Sequence, residues 1–218
     1  MISIRPGTDQ DLRQVADLLN EIIAAGGTTA LTNAMSRQQL ADWLGANATR
    51  SAWHVAIDEQ GELLGFQWIG VWPQLPAEAC DIGTFVKTGQ TGLGIGSRLF
   101  DATCDAAIAL GYDWINANIR ADNGGGLIYY QSRGFEDYGR VEGYEMADGQ
   151  VVDKILKRYD LRFAEGPIPR VWDGDGENSR TTVWMRDEPP RPLDFASLTA
   201  LSIPFGRVRS SSICWPMR

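Results

Sequence analysis

The stretch that decides the fold lies near the middle of the chain and reads Thr91-Gly92-Leu93-Gly94-Ile95-Gly96-Ser97-Arg98-Leu99. It separates a predicted strand from a predicted helix. Glycines at alternate positions remove side chains where backbone must approach a ligand closely. Successive N–H groups then point into one concavity at the positive end of the helix dipole, which suits a phosphate group. The alternative interpretation of such a loop is a purely structural turn.

Two common phosphate-binding sites do not fit this loop. It contains no Gly-Lys-Ser or Gly-Lys-Thr sequence, which excludes a P-loop nucleotide triphosphatase. Its glycines do not follow GxGxxG spacing in a first βα unit, so a dinucleotide-binding fold is not indicated.

On either side of the loop, hydrophobic periodicity predicts a regular order of strands and helices. Strands are expected at residues 2–5, 53–57, 63–71, 81–87, 112–119, 135–145 and 151–161, and helices at residues 12–25, 37–44, 97–110 and 127–133. Capping boxes are expected from Thr8 to Asp11 and from Ser36 to Gln39. The order β-α-α-β-β-β-α-β-α-β-β predicts an α/β or α+β domain in which helices flank a mixed sheet.

Composition excludes several classes of function. The chain has 218 residues and a formal net charge of −8, which argues against a nucleic-acid partner because such a partner requires a basic patch. No apolar run approaches the roughly 20 residues that span a membrane, and the N-terminus shows no signal peptide. We therefore expect a cytoplasmic protein without membrane association. Three dispersed cysteines and one histidine offer no zinc-site spacing, so no metal is expected.

The composition changes near residue 161. Residues 161–218 hold seven of the ten prolines and eight arginines but no lysine. We expect a folded domain over residues 1–160, followed by a Pro/Arg-rich extension over residues 161–218 that is irregular or weakly ordered. Its role is open: it contacts a partner, completes the core, or is non-native sequence such as out-of-frame coding.

A second informative segment follows the glycine loop by about 30 residues. Asn123 precedes a short predicted helix, and Tyr130 stands four residues before the terminating Gly134. Tyr129 and Tyr130 are adjacent, so their side chains point about 100° apart on a helix. One of them can therefore pack in the core while the other reaches a ligand.

Together, these features resemble the GCN5-related N-acetyltransferase (GNAT) superfamily over roughly residues 2–160. Thr91, Gly94 and Gly96 stand at the main positions of the family's Gln/Arg-x-x-Gly-x-Gly/Ala signature, and Asn123-Gly-Gly-Gly126 corresponds to its Asn-x-x-Ala. Thr91 departs from the usual Gln or Arg. Residues 27–30 and 81–86 further resemble the phosphinothricin acetyltransferase branch. The resemblance implies a mostly antiparallel central sheet and acetyl-CoA as co-substrate.

The resemblance also implies where acetyl-CoA binds. The strand around residues 84–87 is expected to splay from its neighbour, so that its free backbone groups bind the pantetheine arm like an added strand. The N–H groups of residues 92–97 are expected to hold the pyrophosphate. The complete set of predicted cofactor-binding residues is Thr84, Phe85, Val86, Thr91, Gly92, Leu93, Gly94, Ile95, Gly96, Ser97 and Asn123. For Asn123, an ordinary helix N-cap is the alternative interpretation.

Two residues are expected to carry proton transfer. Tyr130 would protonate the departing thiolate, since a phenol with a pKa of about 10 is protonated at pH 7. Asp81, at the start of the cofactor strand, would accept the amine proton; the alternative is a solvated carboxylate at a strand end. Glu78 and Glu21 are weaker candidates for the base. His54 and the cysteines are expected to be structural.

The predicted function is therefore transfer of acetyl from acetyl-CoA to the primary amine of a small molecule or amino acid, by direct attack in a ternary complex. The alternatives are acetylation of a protein N-terminus or lysine, and a non-catalytic acyl-CoA-binding module. A homodimer is the expected assembly.

Overall fold

The structure is a computed structural model, and it describes residues 2–90 and 93–161. The strands in this part of the chain are β1 (Ser3–Pro6), β2 (Ala52–Ile57), β3 (Leu63–Gly70), β4 (Ala79–Val86), β5 (Trp114–Arg120), β6 (Glu136–Glu145) and β7 (Val151–Asp160). The helices are α1 (Leu12–Ala25), α2 (Arg37–Gly45), α3 (Ile95–Ala109) and α4 (Gly124–Ser132). Their order along the chain agrees with the predicted order. The expected extension over residues 161–218 lies, after Leu161, outside the described residues.

The described strands form a seven-stranded sheet in the order β1-β2-β3-β4-β5-β7-β6. Every neighbouring pair is antiparallel except β4 and β5, which are parallel and joined through α3. The predicted mixed, mostly antiparallel sheet is confirmed. β3 is buried along its whole length because it lies inside the sheet with helices over both faces.

Each face of the sheet has its own core. On one face, α1 and α2 cover Val55, Phe66 and Trp68. On the other, α3 and α4 cover residues that include Ile82 and Ile115. Because side chains alternate along a strand, odd-numbered residues of β4 face α1 and α2, and even-numbered residues face α3 and α4.

The helix ends show which local signals hold. The Ser36 capping box is present, since Ser36 Oγ accepts from Gln39 N at 3.2 Å and Gln39 Oε1 accepts from Ser36 N at 2.9 Å. Only half of the predicted Thr8 capping box forms. Asp11 Oδ2 accepts from Thr8 N at 2.8 Å, but the Thr8 hydroxyl donates to the same carboxylate at 2.9 Å instead of accepting from Asp11 N, and the helix begins at Leu12. The Asp11 carboxylate also accepts from both terminal nitrogens of the Arg5 guanidinium, at 2.7 Å each, which is a stronger charge-assisted contact.

Four elements near the site begin at other residues than expected: β4 and α3 each begin two residues earlier, at Ala79 and Ile95, and α4 and β5 also differ. α4 begins at Gly124, three residues before the predicted start, because the Asn123 side chain caps the glycine turn by accepting from Gly126 N at 2.9 Å. β5 begins at Trp114, two residues after the predicted start. Tyr112 belongs to the C-terminal turn of α3, where its N–H donates to Ala107 O across the left-handed Gly111.

Candidate active site

The central strands of the sheet separate at one end. β4 and β5 pair only over Ala79–Ile82 and Trp114–Ala117, although β4 continues to Val86 and β5 to Arg120. Beyond Ile82, the β5-facing edge of β4 therefore has no strand partner in the described part of the chain. The expected splay is confirmed. A free backbone edge of this kind accepts an extended amide-bearing ligand as an additional strand.

The glycine loop leads from this edge into α3. Gly94 adopts a positive φ of 75°, which a glycine takes without strain, and it occupies the N-cap position of α3. Leu93 is exposed, whereas the Ile95 side chain is buried in the core with Leu99. Ile95 can therefore offer a ligand only its backbone. Thr91 and Gly92 lie outside the described residues, so their predicted contacts remain predictions.

Gly96 is explained by a neighbouring side chain. A Cβ atom added at Gly96 would lie 2.7 Å from Cε2 of Tyr129, and the Tyr129 hydroxyl donates to Gly96 O at 2.7 Å. From the sequence, this glycine was predicted to allow the close approach of a ligand. The structure adds a second requirement, which is that the start of α3 must accommodate an aromatic ring from α4.

The other predicted cofactor-binding side chains are mostly engaged in the fold. Phe85 stacks on Phe66 at 4.7 Å, and Val86 packs against the core beside α3. Their backbone groups line the free edge of β4. Ser97 is half-buried in the first turn of α3. Asn123 is the N-cap of α4, and its Nδ2 donates to Thr28 O at 2.8 Å, so the structure favours the capping interpretation.

Tyr130 reaches the free end of β4 from the α4 side. Its ring is buried, and its hydroxyl lies 2.9 Å from Thr84 Oγ1. Gln67 Nε2 donates to the same Thr84 oxygen at 2.7 Å and to the Tyr129 hydroxyl at 3.3 Å. Burial raises the pKa of Tyr130 well above its ordinary value, so the phenol is protonated at neutral pH. This is the protonation state that a general acid requires.

Asp81 lies across the sheet from Tyr130, on the face of α1 and α2. Asn116 Nδ2 donates to its Oδ1 at 2.6 Å, and the Tyr138 hydroxyl in turn donates to Asn116 Oδ1 at 2.6 Å. The residue keeps partial exposure, but its carboxyl is surrounded by protein, and this desolvation raises its pKa to about 7. The Asn116 hydrogen bond and the positive charge of Lys154 limit the rise. A carboxyl with this pKa can accept and return a proton at neutral pH.

The weaker candidates are placed away from this chemistry. Glu21 and Glu78 are exposed. His54 is buried with its Nδ1 unpaired within the described residues, and burial lowers its pKa, which is consistent with a structural role. Burial raises the pKa of the Cys80 thiol far above its ordinary value and that of Cys104 to about 12, so neither thiol is a ready nucleophile.

Several site residues were missed at the sequence level: Gln67, Asn116, Tyr138 and Lys154. Gln67 and Asn116 did carry a signal. Gln67 is the only polar side chain in the buried strand β3, and Asn116 is the first of three polar residues that alternate with apolar ones along β5. Tyr138 and Lys154 carried none, because they reach the site only through the pairing of β5, β6 and β7.

The splayed strands, the glycine turn and two opposed titratable groups define an acyl-CoA-dependent transferase of the GNAT type. The chain matches the Acetyltransferase (GNAT) family over residues 16–135, more than half of its length, and belongs to that family.

The chain is similar to individual acetyltransferases within this family. Phosphinothricin N-acetyltransferase from Streptomyces coelicolor is 26% identical over 172 residues, covering 77% of this chain and 96% of that protein. The L-methionine sulfoximine/L-methionine sulfone acetyltransferase from Pseudomonas paraeruginosa is 28% identical over 170 residues, covering 75% of this chain and 92% of that protein. The crystal structure of a phosphinothricin acetyltransferase from Sinorhizobium meliloti in complex with acetyl-CoA matches with a TM-score of 0.66 and 21% identity, covering 79% of this chain and 96% of that one. The predicted resemblance is thus confirmed.

Two further properties of the described residues bear on the predicted partners. No helix in residues 2–90 and 93–161 has both the length and the apolar character needed to cross a membrane. Within the same ranges, no three histidine, cysteine or acidic side chains converge as a metal site would require.

Proposed function

We propose that this chain transfers an acetyl group from acetyl-CoA to the primary amine of a small molecule, by direct attack in a ternary complex. The observation that carries the proposal is the arrangement around the splay. Asp81 approaches the separated strands from the α1 and α2 face, and the Tyr130–Thr84 pair lies on the opposite face. Proton removal and proton delivery are therefore assigned to opposite sides of one opening.

The free edge of β4 and the turn before α3 are the features that fit acetyl-CoA. The backbone of residues 83–86 offers unpaired groups to the amides of the pantetheine arm, and the N-terminal turn of α3 offers N–H donors to the pyrophosphate. Acetyl-CoA supplies the thioester that is attacked. The chain's own contribution is to orient this bond between the two proton-transfer groups.

The proton transfers follow from the two pKa shifts. Ionised Asp81 takes a proton from the ammonium form of the acceptor, and the neutral amine nitrogen then bonds to the thioester carbonyl carbon. The second nitrogen proton leaves after this bond forms and restores the phenol of Tyr130 once its own proton has passed to the sulfur. When the C–S bond breaks, Tyr130 O–H donates its proton to the sulfur. Thr84, anchored by Gln67, keeps the phenol in place through the step.

The test is a thermal-shift titration with acetyl-CoA, using NAD and ATP as controls. A ligand at about 100 times its dissociation constant adds roughly 2.7 kcal/mol of stability. Stabilisation by acetyl-CoA alone should be followed by release of free CoA thiol with amines, beginning with L-methionine sulfone and phosphinothricin. Absence of any shift in a folded sample would contradict the assigned ligand, and binding without turnover on any amine would favour a non-catalytic acyl-CoA-binding module.

The organisation of the chain is part of the proposal. We assign residues 1–160 as the acetyltransferase domain and residues 161–218 as an extension, with a cytoplasmic homodimer that binds neither metal nor nucleic acid. Size-exclusion chromatography with light scattering tests the assembly, and a monomer at all concentrations would contradict it.

A further inference from the structure

One buried cation near Asp81 is not used by the mechanism. Lys154 lies on β7, opposite Arg120 of β5. Asp81 of β4 is paired with Asn116 of β5. Because alternate residues of β5 share a face, Asn116 and Arg120, and with them Asp81 and Lys154, project from the same side of the sheet. Lys154 therefore stands beside the splay, on the side where Asp81 meets the acceptor amine.

The ammonium group of Lys154 interacts with the charge of Asp81 and with the Tyr144 ring, but it has no direct hydrogen-bond partner in the described residues. The residue is only 7% exposed, and its Nζ lies 3.3 Å from the centroid of the Tyr144 ring. In the described part of the chain, no hydrogen bond or ion pair is formed by this ammonium. Buried charges are ordinarily paired and hydrogen-bonded, so an ammonium with no direct hydrogen-bond partner is suited to bind an anionic group of a ligand.

Two other basic residues on this face of the sheet, Arg120 and Arg158, already form hydrogen bonds and ion pairs. Arg120 holds Asp122 through two nitrogens and also donates to Thr29 O. Arg158 is paired with Asp160 at 2.6 Å and stacks on Trp114. Of these three basic residues, Lys154 is the one whose N–H donors form no hydrogen bond within the described residues. Burial lowers its pKa to about 8, with the charge of Asp81 opposing the shift, so most of it is cationic at neutral pH.

The surrounding polar atoms fit an acceptor that carries both charges. Asn118 lies between Asn116 and Arg120 on the same face, and its Oδ1 is buried without a partner in the described residues. Trp68 Nε1, on β3 across from Gly83, is likewise buried and unpaired there. On the same face of the sheet as the proposed base Asp81, Asn118 Oδ1 is thus an acceptor, and the Trp68 and Lys154 N–H groups are donors, without hydrogen-bond partners in the described residues.

We propose that Lys154 is a specificity-determining residue that binds a carboxylate on the acceptor, so that the enzyme selects amino acids over simple amines. This inference rests on the proposed function and adds to it the residue that recognises the negative group. The lysine takes no part in proton transfer. Its ammonium group binds the carboxylate that distinguishes an amino acid from its decarboxylated or amidated counterpart.

The first arm of the test uses only the wild-type chain. Acetylation of L-methionine sulfone is compared with that of L-methionine sulfone amide and of 3-(methylsulfonyl)propylamine, which lack the carboxylate. We expect kcat/KM to be at least tenfold higher for the acid, mainly through KM. Equal or better turnover of the two compounds that lack the carboxylate would overturn the role of Lys154 while leaving the proposed function intact. No turnover of any amine by a sample that binds acetyl-CoA would overturn the proposed function itself.

The second arm uses Lys154→Met, which keeps the length of the side chain and removes its charge. We expect KM for L-methionine sulfone to rise roughly 10- to 100-fold more than KM for 3-(methylsulfonyl)propylamine. Loss of the Lys154 charge also raises the pKa of Asp81, but this effect is common to both acceptors and cancels in the ratio of their KM values. Lys157→Met is the matched control, because Lys157 is equally buried on the same strand but faces α3 and α4 and pairs with Asp137. An equal loss for both acceptors, accompanied by a shift of the acidic limb of the pH profile, would show that Lys154 acts through Asp81 and would refute carboxylate binding.

Discussion

Replacing Tyr130 with phenylalanine isolates the proposed general acid. The substitution removes the hydroxyl that lies 2.9 Å from Thr84 Oγ1 and keeps the buried ring. Thr84 Oγ1 retains its hydrogen bond from Gln67 Nε2 at 2.7 Å, so no buried group is left without a partner. The expected loss of stability is about 1 kcal/mol, the net contribution of one ordinary hydrogen bond. Against a typical stability of about 5–15 kcal/mol, the variant stays folded.

The expected loss of catalysis is much larger. General acid catalysis contributes about 10²- to 10⁴-fold in rate, or about 2.7–5.4 kcal/mol in the barrier. We therefore expect kcat for thiol release to fall by that factor while acetyl-CoA produces the same thermal shift as in the wild type. The two effects separate cleanly because the ring and its packing against Phe135 are preserved.

Tyr129→Phe is the matched control for this experiment. It removes the neighbouring phenol, which donates to Gly96 O, so it should raise KM for acetyl-CoA more than it lowers kcat. If Tyr130→Phe retains kcat within about threefold of the wild type, another group protonates the thiolate and the assignment is refuted. A large loss of kcat in Tyr129→Phe with none in Tyr130→Phe would transfer the role to Tyr129.

Three further predictions concern the base, the glycine turn and the extension. Asp81 has its pKa raised to about 7, so kcat/KM should rise with pH through about 7, and Asp81→Asn should abolish this limb. Because the pKa of Asp81 is raised by folding, the folded chain binds a proton that the unfolded chain releases between about pH 4 and 7, and the contribution of Asp81 to stability falls as pH rises. Asp81→Asn should therefore raise the melting temperature more at pH 8 than at pH 5. An equal effect at both pH values would contradict the assigned pKa. Gly96→Ala places a Cβ 2.7 Å from Tyr129 and should cost about 1–3 kcal/mol in thermal unfolding, whereas Gly125→Ala, with no contact under 3.8 Å, should cost nothing; similar losses would refute the steric argument. A chain truncated after Leu161 should fold and turn over acetyl-CoA normally; loss of cooperative melting would show that residues 162–218 complete the core.

Local sequence signals determined most of the fold and the first members of the site. The order of strands and helices, the glycine turn before α3 and the Tyr130-x-x-x-Gly134 turn after α4 all depend on residues close together in the chain. Glycine at a positive φ, hydrophobic period and cap residues act over a few positions, so they can be recognised without the tertiary structure. The incomplete Thr8 capping box has a different cause, because the pairing of Arg5 in β1 with Asp11 at the start of α1 depends on how these two elements meet.

The sequence by itself therefore determined the family, the sheet with its glycine turn, and the choice of Tyr130 and Asp81 as candidates. Only the tertiary structure decided the environment in which those residues act. The raised pKa of Asp81, the ring of Tyr129 against Gly96, and the approach of Lys154 to the splay all arise from strands and helices that are distant in the chain. Burial and charge proximity depend on which elements pack together, and no spacing within a single segment encodes them.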